Sequence, residues 1–106
     1  MFTSLILVGD LNADFVRKSA HVQATCQFIE NLNLYCAWQK FEIDFTHVHE
    51  INDMSYVSTI DHLFWSDNIC DLVVDAGVIH SVDNPSDHSP VYCVIKNLKL
   101  SSNNVK

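Results

Sequence analysis

Three short polar clusters stand at the ends of apolar runs, and each carries side chains able to move protons, bind a cation or hold an anion. The first is Gly9-Asp10-Leu11-Asn12, directly after the apolar run Leu5-Ile6-Leu7-Val8. Gly9 permits a sharp turn or a close backbone approach. Asp10 and Asn12 are two apart, so an extended chain would point both the same way. A carboxylate beside an amide suits positioning a water and donating hydrogen bonds to an oxyanion. The second cluster is Ser58-Thr59-Ile60-Asp61-His62, where Asp61 falls within an apolar, strand-like run and is costly to bury unless partnered. The third is Ser86-Asp87-His88-Ser89-Pro90, whose adjacent carboxylate and imidazole can supply a metal ligand and an acid/base group. Taken singly, each also has a plain reading: a strand-to-loop turn, a solvent-facing edge position and a polar turn before Pro90.

The elements that must hold these clusters alternate between strand-like and helix-like patterns. Residues 5–8 read as a short strand buried on both faces. A helix follows, with Ser19 as its N-cap and Val22, Cys26, Ile29 and Leu32 forming one apolar stripe. It ends near Asn31 and Asn33. The period then changes to two, with Phe41, Ile43 and Phe45 alternating with Glu42, Asp44 and Thr46 as a half-buried strand. Residues 60–65 form a second strand, with Asp61, Leu63 and Trp65 on one face. Shorter strands are expected at 72–74 and 78–79, around Gly77, and a last one at 91–95. Asn84-Pro85-Ser86-Asp87 before it is turn chemistry.

At 106 residues the chain has room for one domain and a real core. It is 48% hydrophobic and 18% charged, which excludes intrinsic disorder. No apolar run is long enough to span a membrane or to serve as a signal peptide, so the expected location is intracellular. Thirteen acidic against six basic side chains give a net charge of −7, which repels nucleic acid unless a cation intervenes. Cys26, Cys36, Cys70 and Cys93 have no CxxC spacing and read as small buried hydrophobes rather than disulfides. Trp38 and Trp65, with Phe41 and Phe64 beside them, read as core rather than as platforms for stacking bases. His47 and His49, with Glu50 next to them, are too few ligands for a metal site by themselves. His21, His62 and His80 read as surface or satisfied core histidines.

Taken together and in order, GDLN, S-x-I-D-H and SDHSPV resemble the C-terminal half of the endonuclease/exonuclease/phosphatase (DNase I-like) superfamily. Phe45-Thr46-His47 is similar to that family's aromatic-Thr-His segment. The pattern is closest to the endonucleases of non-LTR retrotransposons, which carry S-x-I-D-[HY] followed by S-D-H-x-P-[VI]. Inositol phosphatases instead tend to carry Cys-Asp-Arg where this chain has Ile60-Asp61-His62.

The resemblance implies an α/β fold: half of a four-layer α/β sandwich, with one mainly antiparallel mixed sheet and a flanking helix. Residues 1–98 would form the partial domain and 99–106 a polar tail. It also implies Mg²⁺- or Mn²⁺-dependent hydrolysis of phosphodiesters in DNA, with a nuclear location if the retrotransposon reading holds. Asp10 resembles the carboxylate that positions the attacking water, and Asn12 the amide that contacts the developing phosphorane. His88 resembles the histidine that contacts the scissile phosphate and takes part in proton transfer, and Asp61 the carboxylate that orients it. Asp87 resembles the acidic residue placed near the metal. The family's first half supplies the principal metal-binding glutamate, which no motif here replaces, so the expectation is a truncated domain inactive alone. Two alternatives remain: a non-catalytic remnant or binding module of the same fold, and a phosphomonoesterase such as an inositol phosphate phosphatase. A half-sandwich would also leave apolar strand faces open, favouring self-association or a missing N-terminal half as partner.

Overall fold

The structure, a computed structural model, describes residues 4–96. The chain begins with β1 (Ile6–Asp10) and leaves it at Asp10, crossing a turn-rich segment to helix α1 (Ala20–Asn31). Ser19 caps α1 as its spacing predicts, accepting a hydrogen bond from the Val22 amide at 3.1 Å. Val22 and Ile29 are the buried residues of the stripe, whereas Leu32, the C-cap residue, is 41% exposed. Asn33 then takes φ 55°, the left-handed conformation that asparagine tolerates just past a helix. Next come β2 (Leu34–Cys36), the single turn α2 (Ala37–Lys40), the hairpin β3 (His47–Ile51) and β4 (Met54–Ser58), and β5 (Asp61–Ser66). A 3-10 turn (Asp67–Leu72), β6 (Val73–Val78) and β7 (Val91–Ile95) complete the order.

Among the described residues the strands form three antiparallel sheets, β1-β5-β2, β3-β4 and β6-β7, rather than the one mixed sheet expected. The reason is local connection: two of the three sheets are single hairpin pairs, and the third is organised around β5. That strand is the spine of the fold, with His62, Leu63, Phe64 and Trp65 all buried. On one face Leu63 and Trp65 pack with Ala37, Ile69, Val73 and Ala76, joined by Trp38, Phe41, Cys70, Leu72 and Cys93. Both tryptophans therefore serve the core, Trp65 fully buried and Trp38 partly so, and full burial of a large apolar side chain contributes roughly 2–3 kcal/mol. On the other face His62 stacks on Phe15 at 4.3 Å between ring centroids.

Other expectations need correcting. β1 is not buried on both faces: Ile6 is 39% exposed and Val8 55%, because among the described residues β1 pairs only with β5 and lies at the edge of its sheet. Residues 41–45 alternate in burial as read, but Thr46, expected on the outward side, is fully buried, and the segment runs extended without a strand partner before β3. The two short strands expected around Gly77 are one continuous strand, β6, in which Gly77 lies under the Tyr92 ring of β7. The polar tail at 99–106 lies outside the described residues. All four cysteines are free and half-buried. No helix of the described residues is long and apolar enough to cross a membrane.

Candidate active site

The three polar clusters meet at one end of β5, and backbone pairing brings them there. In the antiparallel register of β1 and β5, Asp10 lies directly opposite Asp61. The pairing continues one step further, since the Leu11 amide donates to the Ile60 carbonyl at 2.9 Å. The third cluster arrives through an isolated bridge between His47 and His88. Two backbone hydrogen bonds build that bridge, Val48 N–H to the Asp87 carbonyl (2.9 Å) and Ser89 N–H to the Thr46 carbonyl (2.7 Å).

The loop carrying Asp87 and His88 is shaped by its own sequence. Asn84 Oδ1 accepts from the Ser86 amide at 3.0 Å, and Ser86 Oγ accepts from the His88 amide at 3.0 Å. Asn84 Nδ2 then donates to the His88 carbonyl at 2.7 Å, closing the turn from the other side. These are the side-chain turns that Asn and Ser favour, here stacked in succession. Thr46 supplies the corresponding brace beneath β5. It is fully buried, and its Oγ1 accepts from the amides of both Ile60 and Asp61 at 3.1 Å. Trp38 adds a third hold, its Nε1–H donating to the Asp61 carbonyl at 3.1 Å.

His88 is the centre of the resulting cluster. Its Nδ1 lies 2.8 Å from Asp61 Oδ2, and its Nε2 lies 3.8 Å from Asp10 Oδ2 and 3.9 Å from Asp87 Oδ1. A carboxylate can only accept, so Nδ1 carries the proton and neutral His88 presents a free lone pair at Nε2. The imidazole's affinity for a proton is raised, chiefly by its hydrogen bond to Asp61. Partial burial pulls the other way, and the charges of Asp61, Asp10 and Asp87 add to the rise. The group can therefore accept and return a proton through Nε2 while Asp61 holds the ring.

Of the residues singled out in sequence, Asp10, Asp61, Asp87 and His88 come together. Asn12 does not follow the extended-strand expectation: it takes φ 50°, and its backbone N–H donates to Asp10 Oδ1 at 2.7 Å. β1 ends at Asp10, so the period-two rule stops one residue too early to align the two side chains. The resulting Asx turn orients the Asp10 carboxylate instead. His47 is the residue the spacing underrated. Its Nε2 lies 3.3 Å from Asp87 Oδ2 and its Nδ1 3.3 Å from Ser58 Oγ, while its ring centroid is 4.7 Å from that of His88. Only the FTH segment's similarity points to it, since Asp87 and His88 lie some forty positions away. His49, weighed with it as a metal ligand and set aside, is in neither group of potential ligands among the described residues.

The other histidines are structural. His62 is 2% exposed, donates from Nε2 to the Ala13 carbonyl at 2.6 Å, and is held toward its neutral form mainly by burial. His80 joins Asp44 and Ser89, each at 2.9 Å, and so ties the loop before β7 to the segment before β3. A cleft of about 910 Å³ lies on the α1 side of the sheet, lined by Phe15, Cys26, Ile29, Trp38, His62 and Phe64 among others. Asp10, Asp61, Asp87 and His88 do not line it, so the titratable cluster and this apolar cleft are separate features.

Mg²⁺ prefers oxygen ligands and retains waters, binding through one or two carboxylates plus substrate oxygens. Asp10 and Asp87, both substantially exposed and beside Nε2 of His88, each offer such an oxygen, but in separate groups: Asp10 with Asp61 and His88, Asp87 with His47 and His88. Among the described residues no glutamate joins the cluster.

No protein-family model matches the sequence, and no curated protein matches it. Among solved structures, the fold is similar to that of the endonuclease domain of TRAS1, a telomere-specific non-LTR retrotransposon. The TM-score is 0.75 at 21% sequence identity, over 89% of this chain and 44% of that one. The chain therefore spans less than half the length of the domain it matches, and it shares that domain's α/β fold with antiparallel sheets.

Proposed function

We propose that this chain carries the C-terminal half of the active site of a metal-dependent DNA endonuclease of the non-LTR retrotransposon type. The observation that carries the reading is His88 set between Asp61 on Nδ1 and Asp10 beside Nε2. It stands within a fold shared with a retrotransposon endonuclease domain. In this reading Asp10 orients the attacking water and Asn12 contacts the phosphate oxygen that gains charge. His88 contacts the scissile phosphate and moves a proton through Nε2, with Asp61 holding its ring and balancing its charge. A bound Mg²⁺ or Mn²⁺, held in part by Asp87, would neutralise the phosphate that a chain of net charge −7 otherwise repels. DNA is the substrate, and the nucleus is where it would be met.

The absence of a glutamate from the described cluster, together with the 44% coverage of the neighbour, supports a half-site that needs further residues to cleave. Ile6, Val8, Val74, Val94 and Ile95 are exposed on the described strands of two sheets, and a second half, or another copy, would cover part of them. The same two observations favour a second reading, a non-catalytic remnant that keeps the fold.

Plasmid nicking separates the two. The chain alone should show no His88-dependent nicking of supercoiled DNA in Mg²⁺. Joined to the portion of the TRAS1 endonuclease domain that it leaves unmatched, it should nick, and Asp10→Ala or His88→Ala should remove that activity. A folded chimera without nicking, or one indifferent to both substitutions, supports the remnant instead.

A further inference from the structure

His47, Asp87 and His88 offer one ligand atom each within 4.8 Å of one another, and the chemistry of this set differs from a magnesium site. Two imidazoles and one carboxylate suit borderline divalent ions such as Zn²⁺, whereas Mg²⁺ takes oxygen ligands. The spacing is near what tetrahedral zinc requires. Ligand bonds of about 2.0–2.1 Å place neighbouring ligand atoms roughly 3.3 Å apart. Here His47 Nε2 is 3.3 Å from Asp87 Oδ2 and His88 Nε2 is 3.9 Å from the other oxygen, Oδ1, so the carboxylate faces one imidazole with each oxygen, and one ligand atom from each residue falls within 4.8 Å of the other two.

The second observation lies behind the ligands. Metal-bound histidines commonly donate their other ring N–H to a carboxylate or another acceptor, which fixes ring and tautomer. Both histidines have such a partner at Nδ1: Asp61 Oδ2 at 2.8 Å for His88, and Ser58 Oγ at 3.3 Å for His47. Ser58 can accept or donate, so it accommodates His47 with its proton on either nitrogen. Both Nε2 atoms are thereby left facing Asp87. The backbone bridge between His47 and His88 fixes this convergence independently of any side-chain contact.

We propose that His47, Asp87 and His88 form a binding site for a zinc-class divalent ion, which shares Asp87 with the magnesium reading above but adds two imidazole ligands, and that an ion seated there takes the Nε2 lone pair of His88. The binding stands without the endonuclease reading. Its consequence, inhibition through capture of the proton-transfer nitrogen, rests on that reading.

The test reads binding on the chain itself. Zn²⁺ affinity is measured by competition with a chromophoric chelator, and site chemistry by Co²⁺ absorption, for the unaltered chain, His47→Gln and Asp87→Asn. One ion per chain is expected, weakened more than about tenfold by either substitution. A tenfold excess of Mg²⁺ should not displace it, and the Co²⁺ spectrum should lack thiolate charge transfer. Asp87 is exposed, so Asp87→Asn keeps the test decisive should His47→Gln fail to fold. Affinity unchanged in Asp87→Asn, or a thiolate band that grows with bound Co²⁺ and assigns the ion to the free cysteines, overturns the proposal.

Discussion

Replacing Thr46 with valine should destabilise the domain by about 2–3 kcal/mol, although the two side chains have nearly the same shape. The hydroxyl is fully buried and is the shared acceptor for the Ile60 and Asp61 amides, both at 3.1 Å. A methyl group in its place leaves two backbone donors without a partner. Each such donor costs about 1–3 kcal/mol when water cannot reach it, and the half-buried setting of these two places them near the lower bound. The sum is a large share of the 5–15 kcal/mol that typically stabilises a domain of this size. Thr46→Ser keeps the acceptor and loses one methyl group, so its cost should be nearer 1 kcal/mol. Urea denaturation followed by tryptophan fluorescence measures both, with the comparison made at unchanged slope. A loss below about 0.5 kcal/mol in the valine variant would refute the reasoning, because the amides would then have found other partners. Equal losses for serine and valine would refute it too, by assigning the effect to packing rather than to the hydroxyl.

Two further outcomes follow from the same contacts. His88 binds its proton more tightly in the folded chain, mainly through Asp61, so this pair adds stability below the ordinary histidine value near 6.5 and loses it as pH rises through the raised value. The stability difference between the unaltered chain and Asp61→Asn should accordingly be largest at about pH 5–6 and shrink toward alkaline pH; a difference flat with pH contradicts the assignment. In β6, a Cβ added at Gly77 would meet the Tyr92 hydroxyl at 2.8 Å and its ring at 3.0 Å. Gly77→Ala should therefore cost about 1–3 kcal/mol by thermal or urea unfolding, and less in a Tyr92→Phe background; equal costs in both backgrounds would exclude the hydroxyl as the obstacle.

What the sequence made legible depended on how far each signal had to reach. Ser19 and the stripe through Val22 and Ile29 announce α1 because capping and helical period are local. Residues 91–95 read as β7 because no breaker interrupts them. The β3–β4 hairpin escaped notice because most of its residues are exposed, leaving no buried face to write a period of two. Its turn, Asn52-Asp53 with both φ values positive (52° and 65°), is the one local sign that was present. Leu5-Ile6-Leu7-Val8 looked like an interior strand on composition alone, and only the sheet order shows it at an edge. In the site, Asp10, Asp61, Asp87 and His88 are legible through ordered motifs. The two-residue spacing of Asp10 and Asn12 does not give a shared direction because the strand ends before Asn12, and His47 is hard to read locally because Asp87 and His88 come from a loop far along the chain.

The most direct measurement is the Mg²⁺-dependent nicking rate of supercoiled plasmid by the completed domain, with His88 intact and with His88→Ala. General acid–base groups contribute about 10²–10⁴-fold, so a fall of at least a hundredfold is expected. A chimera that nicks in Mg²⁺ at the same rate without the His88 imidazole would contradict the proposed role of the Asp61–His88–Asp10 cluster.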